Sequence, residues 1–224
     1  HNVDLVIGYI SSGNCLAIAP VAEELKKLTN FFDCGTPRIF EDAKYNYVFR
    51  TAAHATMDNV GLIRYMKAKN IKMTTLSAIN QDYAWGQDSR ADFIAAAEQL
   101  YPGVKLQTDL LPKFGAGQYG TEISALVGAG SDVVYSSLWG GDLQAFVLQS
   151  APRGLPKRSQ LVFSAADHVL PPLGDKMPDG TIIGARGAYG LMSQKSPLND
   201  WLFKGYEAAN GVYPVQASYR MTQA

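Results

Sequence analysis

Residues 4–20 near the start of the chain read DLVIGYISSGNCLAIAP. An apolar run ends at a glycine, two serines follow it, and a helix-like stretch begins directly after them. Short apolar runs of this kind are typical of parallel strands buried on both faces. Ser11 and Ser12 then lie between the carboxyl end of that strand and a helix amino terminus. Open α/β sheets bind ligands at this place, because backbone N–H groups and the helix dipole favour anions there. The feature predicts an α/β fold with a ligand site beside the first strand.

Strand-like and helix-like stretches alternate along the rest of the chain, which predicts parallel sheets with helices on both faces. Gly211 and Pro214 end the last predicted helix. The predicted strands are Val3–Tyr9, Phe31–Cys34, Tyr47–Thr51, Met73–Ile79, Lys105–Leu111, Asp132–Ser137, Gln160–Ser164 and Thr181–Ala185. The predicted helices are Leu16–Leu28, Asp58–Lys69, Gly86–Leu100, Thr121–Val127, Leu143–Ser150 and Leu198–Asn210.

Charge balance and the length of the apolar runs argue against nucleic-acid binding and against a membrane-spanning segment. The 20 basic residues equal the 20 acidic ones in number and form no basic stripe, so nucleic acid is not an expected partner. No apolar run approaches the roughly 20 residues that span a bilayer. The chain begins at His1 and enters a strand almost at once, which leaves room for a removed signal peptide.

The two cysteines, Cys15 and Cys34, leave two interpretations open. They fit either a disulfide of an oxidising compartment or two buried thiols. A disulfide requires their Cα atoms to come within about 7 Å. No Cys-x-x-Cys or His pair accompanies them, so we expect no metal site, and no cofactor is implied.

Two enzyme-like patterns are weak. Residues 115–120 read G-x-G-x-x-G, with Asp142 about twenty residues on, but Pro112-Lys113-Phe114 separates them from the preceding strand, so we do not expect nucleotide binding. A Ser-His-Asp triad could be assembled from Ser12, His168 and Asp167, but adjacent His and Asp side chains seldom point at one another. We expect His168 to face solvent and Asp142 to cap a helix that starts at Leu143.

Ser11 and Ser12 also admit two interpretations. Their hydroxyls and the nearby N–H groups could chelate a carboxylate without a cationic side chain. Alternatively they cap the helix, as Ser does before many helices, and frequency alone favours this interpretation by about two to one.

Several segments resemble, in order, the type I periplasmic solute-binding proteins of ABC importers, and most closely the branched-chain amino-acid-binding proteins. They are DLVIGYISSGNCLAIAPVAEE, YNYVFRTAAHATMDN, TLSAINQDYAWGQDSRADF, DVVYSSLWGGDLQAFVLQSAPRGL and LVFSAADHVL. The resemblance implies an α/β fold of two doubly wound parallel-sheet lobes joined by a hinge. It places residues 1–53 in an incomplete lobe one, residues 54–185 in lobe two, and residues 186–224 in a truncated return segment of lobe one.

The resemblance also implies a ligand-binding site. Ser12, beside Ser11, falls on the family's carboxylate-binding serine, which favours a binding role over plain capping. Cys34, Gly35 and Thr36 match the second loop that holds the carboxylate, with the Thr36 hydroxyl as a donor. The family usually has a small, alanine-like residue near Cys34, so this part of the pocket is expected to be altered.

The remaining site residues implied by the resemblance lie in lobe two. Tyr83 matches the tyrosine that closes over the ligand, and Trp139 falls where the family has an aromatic wall. Asp167 falls where a carboxylate pairs with a ligand ammonium. Each has a structural alternative: Tyr83 and Trp139 as packing aromatics, and Asp167 as the cap of a turn.

The function that the resemblance implies is capture of a small carboxylate-bearing ligand between two closing lobes and delivery to the permease of an ABC transporter. The expected ligand is a branched-chain or other apolar or aromatic amino acid, or a related acid. The expected location is periplasmic, or extracellular with a lipid anchor. The alternatives are a sensory domain of the same fold and a doubly wound α/β enzyme; no catalytic residues are expected.

Overall fold

The structure is a computed structural model that describes residues 3–187 and 190–224. The chain divides into two compact units. Unit one comprises residues 1–55 and 185–224, and unit two comprises residues 56–184. The predicted lobe ranges also include residues 1, 2, 188 and 189, which lie outside the described part. None of the helices in the described part combines the length and the apolar composition that spanning a bilayer requires.

Strands and helices alternate through most of the chain. In chain order they are β1 (Leu5–Gly8), α1 (Ser12–Glu24), β2 (Leu28–Phe31), α2 (Arg38–Glu41), β3 (Val48–Arg50), α3 (Ala55–Ala68), β4 (Thr75–Ile79), α4 (Ala84–Leu100), β5 (Lys105–Leu110), α5 (Gly120–Ala129), β6 (Val133–Ser136), α6 (Gly140–Ser150), α7 (Leu155–Arg158), β7 (Gln160–Phe163), α8 (Leu170–Leu173), β8 (Ile182–Ile183), α9 (Pro197–Asn210) and α10 (Gln216–Gln223), with short 3₁₀ helices at Asp167–Val169, Gly174–Lys176 and Gly190–Met192.

Unit one contains a parallel sheet whose described strands run in the order β1-β2-β3. Its core packs Ala19 of α1 against Phe31 of β2 and Val48 of β3. The expectation that the first strand is buried on both faces is wrong, because Leu5 is 45% exposed and Ile7 38%. β1 is the edge strand of the described sheet.

The first helix and second strand of unit one both start earlier than the sequence pattern predicts. α1 begins at Ser12 and ends at Glu24, whereas apolar spacing extended it to Leu28. Lys26 adopts a left-handed backbone with φ 51°, which turns the chain out of the helix, and β2 begins at Leu28. The loop after β2 therefore starts at Phe32, and Cys34 lies within the loop rather than the strand.

Unit two is a doubly wound sheet. Its described strands are parallel and run in the order β5-β4-β6-β7-β8. From β4 the chain goes first to β5 on one side and then crosses to β6 on the other. The loops after β4 and β6 therefore diverge, and this is the position at which open α/β sheets form a ligand crevice.

Both faces of the unit-two sheet carry a hydrophobic core. Val134 in β6 packs on one face with α5 and α6, for example with Phe146. Its neighbours Val133 and Tyr135 point to the other face, where the ring of Phe93 from α4 stacks on Tyr135 at a centroid distance of 3.7 Å. Side chains alternate across a strand, so this two-sided burial accounts for the continuous apolar run in the sequence.

Candidate functional site

Ser12 and Thr36 meet at the carboxyl end of the unit-one sheet. The N–H of Thr36 donates to Oγ of Ser12 at 3.1 Å, and both residues are buried. Ser12 is the first residue of α1, and the N-cap residue Ser11 makes no capping bond with its side chain. A serine hydroxyl that accepts a hydrogen bond still carries a hydrogen to donate. The loops after two neighbouring strands thus form a small polar cradle, made of Ser12 and residues 34–36.

A disulfide between Cys15 and Cys34 joins the two sides of this cradle. Their Cα atoms are 6.2 Å apart, and their positions in the sequence differ by 19. Of the two interpretations that the sequence left open, the structure has the disulfide. Closing a loop of this length stabilises a fold by about 3 kcal/mol, and here it fixes the first turns of α1 against the loop after β2.

Buried charges anchor the start of the same loop, and sequence reasoning missed them. Asp33 is 1% exposed and accepts from Nη1 of Arg186 at 2.8 Å and from Nη1 of Arg220 at 2.5 Å. A carboxylate this deeply buried is stable only with such partners. The position of Asp33 at a strand end was the available signal, but the partners lie more than 150 residues away along the chain.

A third arginine, Arg50 at the end of β3, reaches the loop from another side. Its Nη1 donates to the carbonyl of Cys34 at 3.0 Å and to that of Thr36 at 2.6 Å. Burial lowers the pKa of Arg50, and the positive charges of Arg186 and Arg220 lower it further.

An aromatic cluster of Tyr83, Phe114 and Trp139 lies at the divergence of strands in unit two. Nε1 of Trp139 donates to the hydroxyl of Tyr83 at 2.7 Å. The ring of Phe114 lies 5.1 Å from that of Tyr83 and 5.9 Å from that of Trp139. These residues follow β4, β5 and β6, whose carboxyl ends lie side by side. Sequence reasoning missed Phe114; its signal was a large aromatic side chain in the glycine-rich loop after β5.

Gly86 fixes the turn that carries Tyr83. A Cβ atom at Gly86 would lie 1.9 Å from the carbonyl oxygen of Gln81, so no other residue fits without displacing the backbone. Helix α4 can therefore begin directly against the end of β4, and this places Tyr83 beside Trp139.

Asp142 holds the loop of Phe114 and does not cap a helix at Leu143 as predicted, because α6 begins at Gly140. Its carboxylate accepts from Nε2 of Gln81 at 2.7 Å, from the N–H of Gly115 at 2.8 Å and from that of Gly117 at 3.2 Å. Burial opposes ionisation of Asp142, but the hydrogen bond from Gln81 and those from the loop outweigh it and lower its pKa.

The same contacts explain why residues 115–120 do not form a phosphate loop. The N–H groups of Gly115 and Gly117, which would have to bind phosphate, already donate to the negative carboxylate of Asp142. A phosphate placed here would find these N–H donors already occupied, and its negative charge would be repelled by the carboxylate of Asp142.

A cavity of about 210 Å³ lies against the aromatic cluster. A cavity of about 150 Å³ is large enough for benzene, so this one has room for a single ring or a branched aliphatic chain. The lining residues are Gln81, Phe114, Gly115, Trp139, Gly140, Gly141 and Asp142.

Asp167 and His168 follow β7 in a 3₁₀ helix. Asp167 is fully buried. Nε2 of His168 accepts from the N–H of Gly140 at 2.7 Å, and its Nδ1 lies 3.9 Å from a carboxylate oxygen of Asp167. The expectation that His168 faces solvent is wrong, because its ring is bound to the first residue of α6 and connects the loops after β6 and β7.

These bonds do not form a catalytic triad. Nε2, the ring nitrogen of His168 that could act as a base, already accepts a hydrogen bond from the N–H of Gly140. Residues 3–187 and 190–224 also contain no group of three His, Cys, Asp or Glu side chains arranged to hold a metal ion.

Comparison with known proteins assigns the family. The family model described as periplasmic binding protein matches residues 1–222. The chain belongs to this family. A search of curated proteins returned no match.

Solved periplasmic binding proteins share the fold. A solute-binding protein of an ABC transporter from R. palustris, in complex with benzoate, superimposes with a TM-score of 0.87 at 19% identity, over 99% of this chain and 59% of that protein. A periplasmic binding protein from Burkholderia mallei gives a TM-score of 0.85 at 17% identity, over 98% of this chain and 56% of that protein. A leucine-binding protein from Thermotoga maritima gives a TM-score of 0.80 at 17% identity, over 99% of this chain and 61% of that protein.

These comparisons establish the type I periplasmic-binding-protein fold that the sequence predicted. The chain spans less than two thirds of the length of each of these solved proteins, consistent with the prediction of an incomplete lobe one. Within this fold, unit one brings together Ser12, Cys34, Gly35 and Thr36, with Ser11 next in sequence. Unit two brings together Tyr83 and Trp139, with Asp167 at the end of the next strand.

We expect Asp142→Asn to destabilise unit two of this periplasmic binding protein. An amide oxygen cannot replace both carboxylate oxygens as acceptors, and hydrogen bonds to a charged group contribute about 1.5–3 kcal/mol each. We therefore expect the free energy of unfolding at pH 7, measured by urea denaturation, to fall by about 2 kcal/mol or more. Asp179→Asn, which changes an exposed carboxylate, is the control.

The same carboxylate should make part of the stability depend on pH. The pKa of Asp142 is lower in the folded state, so its contribution is complete above about pH 5 and is lost as the pH falls through the folded pKa. The Asn variant should lack this part of the acid dependence. Equal stability of Asp142→Asn and the parent protein at pH 7 would contradict the assigned role.

Proposed function

We propose that this chain is part of an extracytoplasmic solute-binding protein that captures a small carboxylate-bearing ligand and delivers it to an ABC transporter. The observation that carries the proposal is the buried contact between Ser12 and Thr36 at the carboxyl end of the unit-one sheet. Family membership supports the transport role. No catalytic step is proposed.

The chemistry of the cradle suits a carboxylate. The ligand would lie at the amino terminus of α1, a helix of 13 residues, where the dipole favours negative charge. Ser12 and Thr36 would supply hydroxyl groups, and the loop at Cys34 and Gly35 would supply backbone N–H groups. Hydrogen bonds from such donors to a carboxylate are charge-assisted and stronger than neutral ones.

The aromatic cluster supports an apolar or aromatic body for the ligand. We propose that Tyr83 and Trp139 bury a single ring or a branched side chain, each buried methylene contributing about 0.8 kcal/mol. Solved proteins of the fold include one in complex with benzoate and a leucine-binding protein. We propose that Asp167 pairs with the ammonium group when the ligand is an amino acid.

Capture would follow the hinge closure of binding proteins. In this proposal the carboxylate binds first to the cradle, and the residues of unit two then close over the rest of the ligand and exclude water. The disulfide of Cys15 and Cys34 supports a location outside the cytoplasm, because disulfides persist in oxidising compartments.

A thermal-shift panel tests the ligand class. We expect L-leucine, L-phenylalanine or benzoate to raise the midpoint of unfolding, and glycine, L-serine and urea to have little effect, because only the first group can fill the aromatic cavity. Ligand binding stabilises by RT ln(1 + [L]/Kd), which is about 2.7 kcal/mol at 100 times Kd. Stabilisation by urea or glycine alone would contradict the proposed ligand class.

The double variant Ser12→Ala with Thr36→Ala tests the cradle. It removes two donors to the carboxylate, each worth about 1.5–3 kcal/mol, so affinity should fall by about a hundredfold or more. Isothermal titration calorimetry with the acid that stabilises best measures the change. The matched control is Ser124→Ala with Thr222→Ala, whose hydroxyls bond only to carbonyls of their own helices. Unchanged affinity in the first variant would exclude the cradle as the carboxylate site.

A further inference from the structure

We propose that Arg50 is a positioning residue for the carboxylate cradle. It fixes the turn of residues 34–36 so that the N–H of Gly35 is directed to the side on which a ligand carboxylate binds. The inference deepens the proposed function and rests on it, since it assigns the residue that prepares the site before the ligand arrives.

The geometry of the turn carries the inference. A single nitrogen, Nη1 of Arg50, donates to the carbonyls of Cys34 and Thr36, which are two residues apart. Both carbonyls must therefore converge on one point, and this curls the turn around the guanidinium. The guanidinium is itself held in place, because its Cζ lies 5.3 Å from the ring centre of Phe40.

The orientation of the Gly35 N–H follows from the peptide bond. In a trans peptide the C=O of one residue and the N–H of the next point in opposite directions, and the structure has no cis peptide among its described residues. Since Arg50 binds the carbonyl of Cys34, the N–H of Gly35 points away from Arg50. The carbonyl of Gly35 is bound as well, because it accepts from the N–H of Ala55 at 2.7 Å.

The backbone at Cys34 requires such support. Cys34 has a φ of 60°, in the left-handed region that costs a residue with a side chain about 1–3 kcal/mol unless its surroundings impose it. Arg50 on its carbonyl and the disulfide on its side chain impose it. Without Arg50, the peptide between Cys34 and Gly35 loses the restraint on its carbonyl, and the direction of its N–H becomes less fixed.

The loop after β2 is also held by contacts other than those of Arg50, so a change of Arg50 can loosen the turn without unfolding unit one. Asp33 pairs with Arg186 and Arg220, and Cys34 with Cys15, and none of these contacts involves Arg50. Unit one should therefore stay folded in an Arg50 variant while the turn itself loosens.

Amide hydrogen exchange by NMR, without any ligand, tests the positioning directly. In Arg50→Gln we expect the N–H of Thr36, which donates to Ser12, to exchange at least about tenfold faster, and the resonance of Gly35 to shift. Arg50→Lys should restore much of the protection, because an ammonium has three donors for the two carbonyls. Unchanged Gly35 and Thr36 amides in Arg50→Gln would overturn the inference.

Calorimetry with benzoate and L-leucine tests the consequence. Arg50→Gln should bind the preferred acid about tenfold more weakly, with Arg50→Lys in between. The control is Arg90→Gln, which breaks an arginine–carboxylate pair with Asp109 in unit two and should lower stability without changing affinity. In the double variant Arg50→Gln with Thr36→Ala, the loss of binding free energy should differ from the sum of the two single losses, because both residues act on one cradle. A loss equal to that sum would contradict the inference.

The two experiments distinguish the two proposals. If the parent protein binds neither acid, the proposed ligand class fails, while the exchange rates still decide whether Arg50 fixes the turn. If the parent protein binds and Arg50→Gln binds equally well, the role of Arg50 fails and the proposed function stands.

Discussion

The hydrogen bond from the N–H of Thr36 to the hydroxyl of Ser12 is the contact on which the site in unit one depends. It joins the first residue of α1 to the loop after β2. The disulfide of Cys15 and Cys34 joins the same helix and loop by a covalent bond, and Arg50 binds the loop through two carbonyls. If the cradle binds a carboxylate as proposed, it should lose little conformational freedom on binding, so more of the interaction energy would be available as affinity.

In unit two, other interactions hold the loops at the carboxyl end of the sheet. Its strand order reverses beside β4, so that the loops after β4 and β6 diverge. The aromatic cluster occupies this position. Asp142 secures the loop of Phe114 by accepting from the N–H groups of Gly115 and Gly117, and it also accepts from Gln81 after β4. Unit two thus presents aromatic side chains at the carboxyl ends of its strands.

The sequence predicts the class of fold because periodicity and alternation are local signals. It misplaced β2 by three residues, since Leu25 and Leu28 continue the helical spacing and nothing local reveals the left-handed backbone at Lys26. The roles predicted for Asp142 and His168 were also wrong, because their hydrogen-bond partners come from other loops. The pairing of Asp33 with two distant arginines was missed for the same reason: local patterns carry no information about such contacts.

A crystal structure with the best-binding acid tests the proposed carboxylate site most directly. We expect a carboxylate oxygen of the ligand to lie within hydrogen-bond distance of Oγ of Ser12, and the N–H of Gly35 or the hydroxyl of Thr36 to bind the carboxylate as well. A ligand whose carboxylate is bound elsewhere, with the cradle unoccupied, would contradict it.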